Sequence, residues 1–122
     1  MKLKIIAIEG KGNLDSEVVW LEAVEDCSLE YYLIADMTYT AADRISNELR
    51  HIYWFKPTAI KKGDLVALFT KAGNNSNSAN DRKTMTYVMY WGLGKTVWNK
   101  DGDSAVLFQL ATWNTTRAVA SR

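Results

Sequence analysis

The chain predicts an all-β fold, an antiparallel sandwich of about eight short strands forming one domain over residues 1–122. Three observations predict it. The apolar runs are short and rich in β-branched and aromatic residues, which suit a pleated, half-buried surface. Several of them alternate with period two, the spacing that sends successive side chains to opposite faces. Glycine and Asx-rich turns separate them, with seven glycines and a single proline in 122 residues.

The elements follow in order. A first strand, Lys2–Glu9, ends at Gly10-Lys11-Gly12-Asn13, and a second runs over Glu17–Val24. Val18-Val19-Trp20-Leu21 is apolar on both faces, as a central strand requires. Tyr31–Asp36 is the third strand, followed by one candidate helix, Tyr39–Asn47, of at most about two turns. Leu49–Phe55 places Leu49, His51, Tyr53 and Phe55 on one face and Arg50, Ile52 and Trp54 on the other. Lys61-Lys62-Gly63-Asp64 leads into a fifth strand, Asp64–Thr70, again two-sided. The polar stretch Lys71–Lys83 offers no core-forming residue and is expected to be a mobile loop. Met85–Trp91 follows, with Met85, Tyr87, Met89 and Trp91 sharing a face, and then Ala105–Leu110 and Trp113–Val119.

Composition excludes several classes. With 48% hydrophobic and 24% charged residues, the chain is neither disordered nor collagen-like. Cys27 is the single cysteine, so no internal disulfide can form. No apolar run exceeds five residues, against about 20 for a membrane helix. The apolar stretch after Lys4 is too short for a signal peptide, so a cytoplasmic location without a membrane partner is expected. Net charge is +1, but its distribution is uneven: Met1–Asp36 holds three basic residues and eight acids, and the remainder twelve and six. Either the two parts pair inside one fold, or the basic part meets an acidic partner such as nucleic acid.

The order of motifs resembles the lamin tail domain family. VVWLEAVEDCSLEYYLIAD, from Val18 to Asp36, is similar to that family's opening, with Glu22, Leu29, Tyr32, Leu33 and Asp36 at matching places. IYWFKP (Ile52–Pro57) resembles its aromatic strand end before proline, with Lys56 intervening. IKKGDLVALFTKAG (Ile60–Gly73) and WNKDGDSAVLF (Trp98–Phe108) resemble its glycine-led strand and its final turn and strand. The resemblance implies an immunoglobulin-like sandwich that acts by binding, with no catalytic residues and no cofactor. Fold alone does not assign an activity.

Among chemistry-bearing residues, His51 is the single histidine, and a hydrolase would need it beside Cys27 or Asp36 in an apolar cleft. Acidic neighbours Glu25 and Asp26 argue against a reactive Cys27 thiol. Asn99, Asp101 and Asp103 space oxygens around Gly102, but the EF-hand positions for glycine and glutamate fall on Ser104 and Leu110. That motif fails, and no metal site is expected. The aromatic residues stand out instead. Five tryptophans exceed what a small core absorbs, and surplus ones favour interfaces. Trp20 and Trp91 are expected in the core, leaving Trp54, Trp98 and Trp113 as surface candidates. Trp54 lies between Arg50 and Lys56 on one strand face, an aromatic-basic strip.

These readings converge on a non-enzymatic binding module for a protein partner or a second copy. Tyr53 and Trp54 are its candidate anchors, with Arg50, Lys56, Lys61 and Lys62 around them. The alternative is a weak nucleic-acid-binding module using the basic residues of the second part.

Overall fold

In the computed structural model, which describes residues 1–38, 50–98 and 103–119, the strands fall where short alternating runs require them. They are β1 (Leu3–Glu9), β2 (Val18–Ala23), β3 (Cys27–Ser28), β4 (Tyr32–Thr38), β5 (Ile52–Trp54), β6 (Ala59–Ile60), β7 (Leu65–Phe69), β8 (Ser76–Ala79), β9 (Met85–Tyr90) and β10 (Asp103–Gln109). A 3-10 turn, Leu29–Tyr31, links β3 to β4. The candidate helix at Tyr39–Asn47 and residue Leu49 lie outside the described residues.

The strands form a sandwich-like all-β fold. One sheet has the order β1-β2-β7-β9-β8, another β10-β4-β5, and a two-stranded ribbon joins β3 to β6. A single buried cluster draws Val19, Leu21, Val66, Leu68 and Met89 from the first sheet and Tyr32 and Ile34 from the second. The two-sided runs in β2 and β7 occupy interior positions of the larger sheet, as their double-faced apolarity demands. Within β1 the register slips between Ile5 and Ala7. This bulge leaves Ile6 exposed and moves the inward positions from Leu3 and Ile5 to Ile8.

Four expectations are corrected. First, the pairing is not wholly antiparallel, because β7 and β9 run parallel from Leu65↔Thr86 to Phe69↔Tyr90. A parallel pair needs a connection that returns the chain to its starting end. Second, that connection is not a featureless loop: its polar residues form edge strand β8, antiparallel to β9 with Ser76↔Val88 and Ala79↔Met85. Edge pairing needs only backbone donors and acceptors. The hairpin is closed by Asn80, whose Oδ1 accepts the Arg82 N–H at 2.9 Å and the Thr84 N–H at 3.2 Å. Third, Trp113–Val119 forms no strand. Its residues are all exposed, and its Asn, Thr and Arg side chains offer no apolar face to bury.

The fourth correction exchanges two tryptophans. Trp98 is the largest sealed side chain, 1% exposed. Trp20 instead lies partly exposed on the outer face of β2, and its indole N–H donates to Glu9 Oε1 at 2.7 Å. Trp91 is partly buried and packs against the core. Trp98 owes its place to Glu17, a carboxylate with no exposed surface. Glu17 Oε1 accepts the Thr70 hydroxyl at 2.6 Å and the Val97 N–H at 2.7 Å. Oε2 accepts the N–H groups of Gly12 at 3.2 Å and Trp98 at 3.3 Å. The entry to β2 is fixed as well, since the Glu17 N–H donates to the Asn13 carbonyl at 2.8 Å. Gly10 makes this turn possible: its φ is +64°, and a Cβ there would meet the Ser16 carbonyl oxygen at 2.4 Å.

Two outcomes are expected in urea denaturation. Trp98→Ala should lose about 3–5 kcal/mol by opening a cavity, and Trp20→Ala distinctly less. An equal loss in both would contradict the exchange. Glu17→Gln should lose about 2–4 kcal/mol, because the amide replaces an acceptor with a donor and strands buried N–H groups.

Candidate functional site

The site grows from the parity of β5. Leu33↔Trp54 and Ile34↔Tyr53 pair β5 with β4, so Tyr53 and Trp54 point to opposite faces. Phe55 shares the inner side and is 2% exposed, whereas Trp54 is 46% exposed. The Trp54 indole N–H donates to the Glu30 carbonyl at 2.7 Å, which fixes the ring against the 3-10 turn. On the other flank the chain leaves β10, and the Leu110 N–H donates to the Tyr31 carbonyl at 2.7 Å. That bond steers residues 111–113 past the turn and lays Trp113 on Trp54, with centroids 5.1 Å apart and planes at 88°. Tyr31 meets the same Trp113 ring at 5.5 Å and 58°.

Tyr31 and Trp113 are 43% and 42% exposed, so three large aromatics form one contiguous outward patch. Beside it lies a groove of about 410 Å³, lined by Glu30, Trp54, Phe55, Lys56, Pro57 and Trp113. Its walls are largely apolar. Among the described residues, Glu30 Oε1 is shielded from water and has no hydrogen-bond partner.

The candidate residues are divided among three places. Trp54 and Lys56 line this groove together. Tyr53 lies on the inner side, packed edge-on against Phe55 (5.1 Å) and Trp91 (5.9 Å). Burial pushes its phenol pKa up, partly offset by a hydrogen bond with Asn75. Arg50 does not join Trp54 in a strip. Its Nε donates to Asp36 Oδ1 at 3.0 Å and its Nη2 to Asp103 Oδ1 at 2.7 Å. Lys61 and Lys62 line a different groove of about 510 Å³, shared with Lys83, Asp64 and Tyr87. Trp98 is withdrawn from the surface candidates by its burial. Tyr31 and Glu30 went unmarked as site residues in the sequence, since only the 3-10 turn brings them beside Trp54 and Trp113.

His51 Nδ1 does stand 3.2 Å from Asp36 Oδ2. Asp36 is buried while His51 is half exposed, and the same carboxylate is engaged by Arg50. Cys27 is on β3 opposite Ile60, in a separate groove with Lys2, Tyr31 and Tyr32. Among the described residues no hydrogen bond joins it to His51. Burial is the main force pushing the Cys27 thiol pKa up. Lys2 lowers it and Asp26 raises it, so the acidic neighbour acts but does not dominate. Asn99 and Asp101 lie outside the described residues, and Asp103 is paired with Arg50. Among the described residues no three His, Cys, Asp or Glu side chains cluster to hold a metal, and no helix is long and apolar enough to cross a membrane.

No protein-family model matches the chain, and no curated protein matches it.

The raised thiol pKa has a direct readout. At pH 8, iodoacetamide should modify Cys27 several-fold more slowly than an unstructured cysteine peptide, and urea should abolish the difference. Equal rates in the folded state would contradict a shielded thiol. Trp113→Ala should lower stability by only about 0.5–1.5 kcal/mol, the worth of an exposed edge-to-face contact.

Proposed function

We propose that this chain is a non-enzymatic binding module of the lamin tail type, operating in the cytoplasm, and that the Trp54–Trp113 groove anchors a protein partner. One observation carries the reading. Trp113 touches both Tyr31 and Trp54, while each of the three keeps more than two fifths of its surface in water. Single exposed aromatics are ordinary, but a contiguous patch beside a groove is the composition of an interface centre. Pro57 and Phe55 extend the apolar wall, and Glu30 and Lys56 supply a polar rim. Anchor plus rim is the division of labour that concentrates binding energy in a few residues.

A second reading has its own observation. Lys61, Lys62 and Lys83 border one groove although twenty residues separate the first pair from the third. None of them is in an ion pair among the described residues. Tyr87 on the same wall could stack a base while the lysines meet phosphates. The chain's net charge of +1 would keep such binding weak and salt-sensitive.

Affinity capture from native lysate separates the two. The expected outcome is a partner retained by the intact chain and lost, by tenfold or more, with Trp113→Ala or Trp54→Ala. Both variants should keep the parent's circular dichroism. Capture unchanged by either tryptophan would overturn the reading. Single-stranded DNA retarded at low salt, and released by Lys61→Ala with Lys62→Ala, would favour the lysine groove instead. Sedimentation at rising concentration shows whether the retained partner is a second copy.

A further inference from the structure

The chemistry of the occupant follows from how the two tryptophans meet; this step rests on the reading of the groove as a protein-binding site. An aromatic ring carries partial negative charge on its faces and positive charge at its edge. At 88° and 5.1 Å, one ring's edge abuts the other's face, and one face of each ring walls a right-angled corner. A cation in that corner touches two negative faces at once. Glu30 lines the same groove, and its Oε1 is shielded from water without a partner among the described residues. A carboxylate oxygen in that condition is uncompensated and favours a positive neighbour.

Lys56 is the opposing charge on the wall, and it is exposed. Its ammonium is carried into water by a four-carbon stem, where solvent and salt screen it. The shielded acid and the two ring faces therefore set the field inside the corner. Hydrogen-bonding capacity is scarce there: the Glu30 carbonyl is already taken by the Trp54 N–H, and Phe55 and Pro57 add no side-chain acceptor. A bare ammonium brings three donors to satisfy, and a guanidinium five. A fully methylated ammonium keeps the charge, needs no acceptor and presents methyl groups to the rings.

We infer that the Trp54–Trp113 corner holds a methylated ammonium group, presented by a methylated lysine side chain of the protein partner. The test titrates the intact chain with a short peptide bearing one trimethyllysine and follows indole fluorescence. Two control peptides carry unmodified lysine or the neutral tert-butyl carbon isostere at the same position. Saturable binding is expected, roughly tenfold tighter than the isostere, the scale of two cation–π contacts. Trp113→Ala should weaken it by about the same factor, and Glu30→Gln should narrow the gap between charged and neutral peptides. Lys11→Ala, on the exposed turn before β2, should change nothing. Should Glu30→Gln fold poorly, Trp113→Ala and the isostere comparison decide. Equal affinity for charged and neutral peptides, or no saturation, would overturn the inference. If the peptide fails while Trp113→Ala still abolishes partner capture, the methylated-ammonium assignment falls and the binding-module reading stands.

Discussion

A carboxylate with no access to water organises this fold. Glu17 accepts hydrogen bonds from Gly12, Thr70, Val97 and Trp98, four groups from three distant parts of the chain. An ionised carboxylate is acceptor-only and offers about four lone-pair directions, enough to serve all four donors, which an amide with its NH2 group could not do. Desolvating that charge is expensive, and the donors are what make it tolerable. The consequence is geometric. The loop before β2, the end of β7 and the segment after β9 must arrive at one point, and their arrival closes the core over Trp98. The Thr70 N–H adds a bond to the Glu17 carbonyl at 3.2 Å, carrying the β2–β7 pairing one residue past the strand ends.

Much of this was legible in the sequence where backbone pairing and side-chain burial agree. β1, β2, β7 and β9 alternate apolar and polar residues or are apolar on both faces, and each lies within about a residue of its expected bounds. Signals failed where the two part company. β8 pairs its backbone with β9 while every side chain is exposed, so no periodicity marks Ser76–Ala79. Direction is also invisible to periodicity, which is why the parallel β7–β9 pair could not be read. The exchange of Trp20 and Trp98 has a related cause. Trp20 follows the outward parity of β2, with inward Val19 and Leu21 on either side. Trp98 is drawn in by its backbone N–H to Glu17, and a backbone bond leaves no trace in side-chain pattern.

The same division applies to the site. Trp54 was readable because β5 is short and its parity unambiguous: inward Phe55 implies outward Trp54. Its neighbours were not, since Tyr31 and Trp113 lie 82 residues apart and meet only after β10 returns to the 3-10 turn. Charge misled where partners were close in space. Arg50 shares the parity of Trp54, but Asp36 and Asp103 hold its guanidinium. The Asp103 hydrogen bond is the main cause that pushes its pKa further up.

The imbalance between an acidic first part and a basic second part finds its outlet in such pairs. Arg50 reaches back to Asp36, His51 to the same carboxylate, and Arg82 to Glu22. Each joins a basic residue of the second part to an acid of the first. What they leave over is informative. Among the described residues, Lys61, Lys62 and Lys83 gather without ionic partners at one groove, and Glu30 at another. Charges exposed singly on a surface are solvated and neutral in effect. Glu30 differs because its Oε1 is shielded from water without a hydrogen-bond partner among the described residues, while the residue lines the groove with Trp54 and Trp113. Stability and the proposed recognition therefore draw on separate acids. Glu17 is buried with its donors supplied from within the chain, and Glu30 Oε1 is shielded without a hydrogen-bond partner among the described residues.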